Sequence, residues 1–239
     1  MPRSRVLPRS QPDGTGVAAD IQLLVRKMAG DPGAAALAVL SANERERAAR
    51  FRFDLHRNRY VARHHWIRVE LARRYGGAPQ ELHFDQGANG KPCLRDARNW
   101  RGGFNASSSQ EYALLGFDAG AEIGVDIECI RSFKDAADFA AHNYAESERS
   151  QARSPTAFFR IWSRKEAFLK CTGLGLIDDL ADLTVGSRNS RRPCRYRDAA
   201  GKLHVCYLWT WVLDDPLCAI SVASFRPVPA DLKPETVDP

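Results

Sequence analysis

The chain has 239 residues, a mass of 26.6 kDa and a formal net charge of +6, and 44% of its residues are hydrophobic. This composition excludes a disordered chain, a fibre and a small disulfide scaffold, because the chain can bury a sizeable core. The longest apolar runs are far short of the ~20 residues that span a bilayer. The basic start lacks the apolar stretch of a secretory signal, so we expect a soluble, cytoplasmic protein.

Positive charge is concentrated in the first third of the chain. Residues 1–75 contain 15 Lys/Arg and 7 Asp/Glu, a balance of +8, whereas the remainder contains 20 and 22, a balance of −2. This asymmetry predicts an anionic partner near the amino-terminal third, which could be nucleic acid, a phosphorylated cofactor or an acidic protein. The six cysteines are widely spaced and form no C-x-x-C pair, which predicts free thiols and argues against a zinc site.

Helix and strand patterns alternate through the first half. Residues 1–19, rich in Pro, Arg and Gly, are expected to be a flexible leader. A capping box at Ser41-Ala42-Asn43-Glu44 begins one helix, and Gly76-Gly77 ends another. In chain order, we predict a strand over 20–27, helices over 34–40, 42–50 and 57–75, and strands over 104–108 and 112–117.

The second half begins near residue 119, after a turn. We predict a strand over 122–128, helices over 135–142, 146–153 and 155–171, a polar loop over 187–195, and strands over 203–212 and 217–225. The helix pattern over 155–171 follows Ser154-Pro155 and stops at Gly173. The predicted organisation is two α+β halves, 20–118 and 119–225, with an irregular tail over 226–239. There is no sequence repeat between the halves.

Alternation in the strand over 122–128 separates apolar from acidic side chains. Ile123, Val125 and Ile127 share one face, whereas Asp126 and Glu128 share the other. The two carboxylates lie ~7 Å apart along the strand, so they repel unless water screens them or a cation lies between them. An exposed edge strand and a cation site both fit this pattern.

The helix over 155–171 places an acid and a cation on one ridge. Trp162, Glu166 and Lys170 follow one another at i, i+4 spacing. This row could be a surface ion pair beside a core indole. Alternatively, Glu166 could add a third carboxylate to Asp126 and Glu128, giving an all-oxygen site suited to Mg²⁺ beside a lysine.

These two segments resemble the signatures of the Sfp-type 4′-phosphopantetheinyl transferases. The family has an acidic strand, G-[IV]-D-[IVL]-E, followed some 35–40 residues later by a helix, W-x-x-K-E-[AS]-x-x-K. Here the strand begins at Gly124 and ends at Glu128, and the helix motif runs from Trp162 to Lys170. Residues 90–92 resemble the family's G-K-P, residues 104–109 its F-N-x-S-H-S, and residues 41–59 its basic amino-terminal segment. The resemblance covers roughly residues 20–225.

The resemblance implies a 4′-phosphopantetheinyl transferase fold, in which two similar α+β halves form a monomeric pseudo-dimer. It also implies Mg²⁺-dependent transfer of phosphopantetheine from coenzyme A to a serine of an acyl- or peptidyl-carrier protein, releasing adenosine 3′,5′-bisphosphate. On this basis Asp126, Glu128 and Glu166 would bind the metal, Glu166 would also be one of the catalytic residues, and Lys170 would act on the leaving oxygen. Glu148 aligns with a general base, although it could also be a solvated helix residue. The residues expected to contact coenzyme A are Arg47, Arg59, Lys91, Ser107, Ser108 and Lys170.

The chain departs from the family pattern at two positions. Ser108 stands where the family usually has a histidine that contacts a coenzyme A phosphate. Serine can donate one hydrogen bond but carries no charge, so coenzyme A would bind more weakly unless a nearby arginine compensates. Glu44 is an acid at a position where a cation would suit the 3′-phosphate of coenzyme A. Arg63 is expected on a solvated face.

Two other functions compete with the transferase. A basic nucleic-acid-binding module would use residues 45–74, but no nucleic-acid-binding motif supports it and it leaves the acidic signatures unexplained. A non-catalytic relative that binds a carrier domain is suggested by Ser108. We favour the transferase, with coenzyme A and a carrier domain as partners and with neither nucleic acid nor membrane.

Overall fold

The computed structural model describes residues 21–95, 102–177 and 179–238. The leader predicted over 1–19 lies outside them. In chain order the strands are β1 (Ile21–Lys27), β2 (Phe84–Gln86), β3 (Pro92–Leu94), β4 (Gly103–Ser109), β5 (Tyr112–Asp118), β6 (Ile123–Cys129), β7 (Cys194–Arg197), β8 (Leu203–Asp214), β9 (Leu217–Ser224) and β10 (Glu235–Val237). The helices are α1 (Gly33–Val39), α2 (Ala42–Ala49), α3 (Asp54–Tyr75), α4 (Ala136–Asn143), α5 (Glu146–Arg149) and α6 (Pro155–Thr172). Short 3₁₀ turns lie at Pro79–Glu81, Ala88–Gly90 and Leu180–Asp182.

Two four-stranded sheets form the α+β framework. The first has the order β10-β1-β5-β4, the second has the order β6-β9-β8-β7, and β2 pairs with β3 in a separate hairpin. In both halves a strand is followed by helices and then by an antiparallel strand pair, whose second strand lies beside the first strand of that half. The two halves therefore share one order of elements without a detectable sequence repeat. Placing their boundary at residues 118/119 remains a prediction.

The helix termini follow the signals in the sequence. Ser41 and Glu44 form the expected capping box at α2, and the Ser154 hydroxyl accepts a hydrogen bond from Ala157 N at the start of α6. Gly76 and Gly173 end α3 and α6 with positive φ values of 81° and 69°. Glycine adopts this conformation without the steric cost that a side chain would add.

Three apolar clusters form most of the core, and one of them joins the two halves. One lies between the sheets and joins Ile21, Leu23 and Val25 of β1 to the β6 and β9 side chains. A second packs α3 against the first sheet through residues such as Trp66 and Leu115. A third packs α6 against the second sheet. Both faces of the second sheet are therefore covered, one by the first sheet and the other by α6.

Strand β6 has the alternation expected of it. Ile123, Val125 and Ile127 are fully buried between the sheets, and the opposite face lies under α6. At Gly124 the helix comes so close that a Cβ atom would lie 2.1 Å from Ala167 O and 2.3 Å from Cys171 N. Glycine is required here because the backbone of α6 occupies the space of a side chain.

Several short elements differ from the predictions made from the sequence. The tail predicted to be irregular contains β10, which pairs in parallel with β1. The segment predicted as a loop over 187–195 ends inside β7, and the β2–β3 hairpin was not expected. These strands have only three or four residues, too few to show alternation. Helix α5 ends at Arg149, before the predicted position.

In the part of the chain that the structure describes, no helix combines the length and the apolar character needed to cross a bilayer.

Substituting Gly124 tests whether this contact between α6 and β6 is essential. We expect Gly124→Ala to lower the free energy of unfolding by at least ~3 kcal/mol, because the added methyl group meets backbone atoms that cannot rotate away. Urea denaturation would measure the loss. Gly120→Ala is the matched control, because the three atoms nearest to its Cβ would belong to the guanidinium end of the flexible Arg226 side chain, and we expect it to cost less than ~1 kcal/mol. Equal stability of the two variants would contradict this account.

Candidate active site

Asp126 belongs to β6, faces α6 and is only 3% exposed. Its Oδ1 accepts hydrogen bonds from Lys170 Nζ at 2.6 Å and from Ser107 Oγ at 2.7 Å. Its Oδ2 is also buried but has no hydrogen-bond partner. Burial raises the pKa of Asp126, and the nearby Lys170 opposes this shift. The residue thus presents one satisfied carboxylate oxygen and one unsatisfied oxygen.

Glu128, two residues further along the same face, is held by donors on both oxygens. Trp162 Nε1 donates to Oε1 at 3.1 Å, and Ser109 Oγ donates to Oε2 at 2.9 Å. Burial raises the pKa of Glu128, and the negative charge of Asp126 raises it further. The indole of Trp162 therefore orients this carboxylate as well as packing in the core.

Glu166 brings a third carboxylate to the same region from α6. Burial raises its pKa, repulsion from Asp126 and Glu128 adds to the increase, and Lys170 opposes it. The three predicted metal ligands thus sense one another electrostatically, although they are far apart in sequence. Among the residues that the structure describes, however, no three His, Cys, Asp or Glu side chains are gathered closely enough to form a finished metal-binding cluster.

A divalent cation fits the chemistry of these groups. The donors are all oxygens, and the unsatisfied Asp126 Oδ2 is a buried acceptor that a cation would satisfy. Burial disfavours ionisation of all three carboxylates, and repulsion between carboxylates adds to this at Glu128 and Glu166. A bound positive charge would oppose both effects. We refer to Asp126, Glu128, Glu166 and Lys170 as the acidic site.

Strand β4 braces β6 with three side chains that alternate along it. Asn105 Oδ1 accepts a hydrogen bond from Val125 N at 2.9 Å, Ser107 Oγ donates to Asp126, and Ser109 Oγ accepts from Cys129 N at 3.1 Å. Ser107 is one of the predicted site residues, whereas Asn105 and Ser109 are not. The signal for both was available, since polar residues with a period of two share one face of a strand.

Lys91 lies beside the first residues of β6. Its Nζ donates to Glu122 Oε2 at 2.9 Å and to Ile123 O at 3.0 Å. The turn that carries it is tied to the end of α6, because Asn89 Nδ2 donates to Gly173 O at 2.7 Å and to Leu174 O at 2.8 Å. The hairpin thus joins the acidic strand and α6 at one end of the site.

The predicted phosphate-binding residues of the amino-terminal segment lie on α2, α3 and β4. Arg47 lines an open surface cavity and stands 5.8 Å from the ring centre of Tyr60. Arg59 forms an ion pair with Glu111 at 3.1 Å, but its Nε atom is buried without a partner. Ser108 lies on the opposite face of β4 from Ser107 and accepts a hydrogen bond from Arg63 Nη1. The expectation that Arg63 lies on a solvated face was therefore wrong.

Glu44 has a structural role that explains why an acid occupies this position. Its carboxylate accepts a hydrogen bond from Ser41 N at 2.8 Å, contacts His64 Nδ1 at 3.0 Å and pairs with the buried Arg68 at 2.8 Å. Burial alone would raise the pKa of Glu44, but the hydrogen bonds from His64, Ser41 and Arg68 outweigh it and lower the pKa to about 2. Glu44 therefore links the start of α2 to α3.

The structure contradicts a solvated position for Glu148 and argues against its predicted role as a general base. The side chain is 0% exposed and pairs with the equally buried Lys165 at 2.9 Å. Its oxygens also accept hydrogen bonds from Val185 N at 2.7 Å and Gly186 N at 2.8 Å. A carboxylate enclosed in this way cannot reach the hydroxyl group of a protein substrate. The acidic pattern of the short helix α5 gave no sign of this burial.

The buried pair of Glu148 and Lys165 should contribute to stability. We expect Glu148→Gln and Lys165→Met each to lower the free energy of unfolding by about 3–5 kcal/mol, because each leaves the other charge buried without its counterion. We expect the double variant to lose less than the sum of the two losses. Chemical denaturation measures all three variants, with the exposed Lys134→Met as a control. Full stability of Glu148→Gln would show that the pair is not structural.

Removing the charge of Glu166 should instead stabilise the metal-free protein. Because its pKa is raised on folding, its ionised form lowers stability above the ordinary glutamate pKa of 4.5, and this penalty vanishes as the pH falls well below that value. Glu166→Gln should therefore melt about 2 °C higher than the parent at pH 7, and the difference should shrink in acid. Thermal unfolding in EDTA measures this, with the exposed Glu146→Gln as a control. A lower melting temperature at pH 7 would disprove the repulsion.

The sequence is similar to one family of known proteins. A family model described as the 4′-phosphopantetheinyl transferase superfamily matches residues 122–221. The 4′-phosphopantetheinyl transferase psf-1 of Bacillus pumilus is 30% identical over 197 residues, which are 80% of this chain and 82% of the relative. HetI of Nostoc is 37% identical over 58% of this chain and 62% of its own length. Sfp of Bacillus subtilis is 27% identical over 59% and 63%.

The matches thus span less than two thirds of HetI and Sfp but most of psf-1. The matched family region contains all four residues of the acidic site. The resemblance in the acidic strand and the helix motif is confirmed, and the chain belongs to the 4′-phosphopantetheinyl transferase superfamily.

Proposed function

We propose that this chain transfers the 4′-phosphopantetheine moiety of coenzyme A to a serine of an acyl- or peptidyl-carrier protein. The reaction converts the apo carrier to the holo form, requires Mg²⁺ and releases adenosine 3′,5′-bisphosphate. Membership of the superfamily and the names of the relatives support the reaction class. The observation that carries the proposal is the acidic site, where a buried, partly unsatisfied carboxylate lies next to a lysine.

Asp126, Glu128 and Glu166 are the residues that would hold Mg²⁺. Bound there, Mg²⁺ would neutralise charge on the pyrophosphate of coenzyme A and stabilise the charge that develops on the leaving group. The protein's own part is to fix these carboxylates. Ser107 holds Asp126, whereas Trp162 and Ser109 hold Glu128.

The remaining chemistry is carried by protein side chains. The carrier serine oxygen forms a bond to the phosphorus of the phosphopantetheine, and the bond from that phosphorus to the bridging pyrophosphate oxygen breaks. Lys170 would stabilise or protonate the departing oxygen. Of the two carboxylates expected in catalysis, Glu148 is enclosed, so Glu166 is the one that could accept the serine proton, directly or through water.

Several cations could bind the phosphates of coenzyme A. Lys91 and Lys170 approach the strand that bears Asp126, which suits contacts to the pyrophosphate. Arg47 lies on α2 and Arg59 lies on α3. The Ser107 and Ser108 hydroxyl groups on β4 could make shorter polar contacts to the same phosphates. Lys91 and Arg59 already pair with Glu122 and Glu111, so they would exchange an internal carboxylate for a phosphate oxygen.

The carrier protein is the proposed macromolecular partner. An acidic carrier would be attracted to this chain by its +6 charge, which speeds encounter without requiring specific contacts. We propose that the protein acts as a cytoplasmic monomer and has neither a nucleic-acid nor a membrane partner.

A mass measurement tests the reaction directly. The protein is incubated with an apo-carrier protein, coenzyme A and Mg²⁺, and the carrier is then weighed by mass spectrometry. We expect a gain of one phosphopantetheine group, which should be abolished by EDTA or by Asp126→Ala. Asp138→Ala, which removes an exposed acid on α4, is the matched control and should retain activity.

Other outcomes would point to the competing functions. Binding of the carrier without a change in its mass would indicate a non-catalytic relative. Tight binding of duplex DNA without carrier modification would indicate a nucleic-acid-binding module. Modification that persists after Asp126→Ala would contradict the proposed role of the acidic site.

A further inference from the structure

Two thiol groups are in contact at the end of the acidic strand. Cys129, the last residue of β6, and Cys218, near the start of β9, are register partners, and their Sγ atoms lie 3.0 Å apart. Cys218 is fully buried and Cys129 is 6% exposed. All six cysteines of the chain are free thiols in the structure. We call Cys129 and Cys218 the thiol pair.

The backbone places the thiol pair where two antiparallel strands lie closest together. Ile130 N donates to Leu217 O at 2.9 Å, so the neighbouring residue pair is the hydrogen-bonded one. Cys129 N donates instead to Ser109 Oγ at 3.1 Å, outside the ladder between β6 and β9. Cys129 and Cys218 therefore form a non-hydrogen-bonded pair, whose Cα atoms lie roughly 4.5 Å apart. A disulfide bond spans this separation, so the bond needs no large movement of either strand.

Ser109 connects the thiol pair to a predicted metal ligand. The Cys218 thiol donates to Cys129 Sγ, and the Cys129 thiol donates to Ser109 O at 3.4 Å. Ser109 Oγ donates in turn to Glu128 Oε2 at 2.9 Å and accepts from Cys129 N. A disulfide bond removes the thiol proton and draws Cys129 towards Cys218. Ser109 then loses one donor, and its bond to Cys129 N lengthens.

We propose that Cys129 and Cys218 are the site of a reversible disulfide bond, and that its formation loosens the hold of Ser109 on Glu128 and weakens binding of a divalent cation at the acidic site. The second part of this inference rests on the proposed function, whereas the first part does not. In a reducing compartment such a pair remains as thiols and is oxidised only transiently. The protein would lose activity under oxidising conditions and regain it on reduction.

The class of oxidant that the step requires is a peroxide. It oxidises the Cys129 thiol to a sulfenic acid, while its O–O bond breaks and one water molecule leaves. The Cys218 sulfur then attacks the Cys129 sulfur, the S–O bond breaks, and a second water molecule carries away the remaining thiol proton. The two thiols thus lose two electrons and two protons, which reduce one hydrogen peroxide to two waters. A dithiol such as dithiothreitol returns both electrons and both protons by thiol–disulfide exchange.

Thiol mapping tests the bond without metal, coenzyme A or carrier. The Cys93→Ser variant is the working protein, because it removes an exposed thiol that would join two chains. One equivalent of hydrogen peroxide should remove two free thiols, and peptide mass mapping should find Cys129 joined to Cys218. In EDTA the oxidised form should melt roughly 5–10 °C higher than the reduced form, because the bond joins residues 89 positions apart. Dithiothreitol should reverse both changes.

Calorimetry with Mg²⁺ tests the link to the acidic site. The oxidised working protein should bind Mg²⁺ about tenfold more weakly than the reduced form, a loss typical of a hydrogen bond to a charged group. In the same background, peroxide should change neither the melting temperature nor the Mg²⁺ affinity of Cys129→Ala. Cys218→Ala should likewise form no disulfide and show no rise in melting temperature. Cys194→Ser, which alters a thiol on β7, is the matched control and should respond like the working protein.

The inference and the proposed function fail in different ways. A disulfide between other cysteines, or none at all, would overturn the inference. If Cys129 and Cys218 are joined but the Mg²⁺ affinity is unchanged, the link to Glu128 is wrong. If neither the reduced nor the oxidised protein modifies a carrier, the proposed function fails, and thiol mapping still decides whether the thiol pair is a disulfide site.

Discussion

The contact between α6 and the acidic face of β6 is the constraint on which the rest of the structure depends. A helix that packs on alternate residues of a strand normally meets side chains, but here Gly124 lets the backbone of α6 approach directly. This close approach brings Lys170 within 2.6 Å of Asp126 and Trp162 within 3.1 Å of Glu128. The apolar clusters on both sides of the second sheet hold the contact in place. The electrostatics of the site thus follow from the packing of the core.

Helix α6 carries two lysine–carboxylate pairs that serve different purposes. Lys165 and Glu148 are both fully enclosed, and backbone groups satisfy their remaining hydrogen-bonding capacity. Lys170 and Asp126 are arranged differently, because the lysine is 28% exposed and one carboxylate oxygen has no partner. The first pair can only maintain the fold, whereas the second can exchange partners when a ligand arrives. Both acids are buried and both pair with a lysine of the helix motif, so these two properties do not distinguish them. The exposure of Lys170 and the unpartnered oxygen of Asp126 do.

Sequence reasoning succeeded where a pattern is long or a local signal is strong. The alternation of β6, the capping box of α2 and the glycine that ends α6 were all predicted, and the two family signatures identified the superfamily. It failed where an outcome depends on distant partners. Strand β10 exists only because β1 offers an edge, and Glu148 is buried because Lys165 and the backbone at Val185 surround it. Arg63 was misplaced for the same reason, since its contact with Ser108 joins α3 to a strand far along the chain.

The side-chain bracing of β6 by β4 has a consequence for how the molecule assembles. Val125 and Cys129 donate their backbone N–H groups to Asn105 and Ser109 of the other half rather than to a neighbouring strand. Polar side chains of β4 thus join β6 to the first half, and Ser107, which holds Asp126, is one of them. The acidic site itself lies in the second half, but the Ser107 and Ser109 hydroxyl groups that hold Asp126 and Glu128 come from the first half. If the two halves were produced as separate polypeptides, the recovery of carrier modification on mixing would report directly on their association.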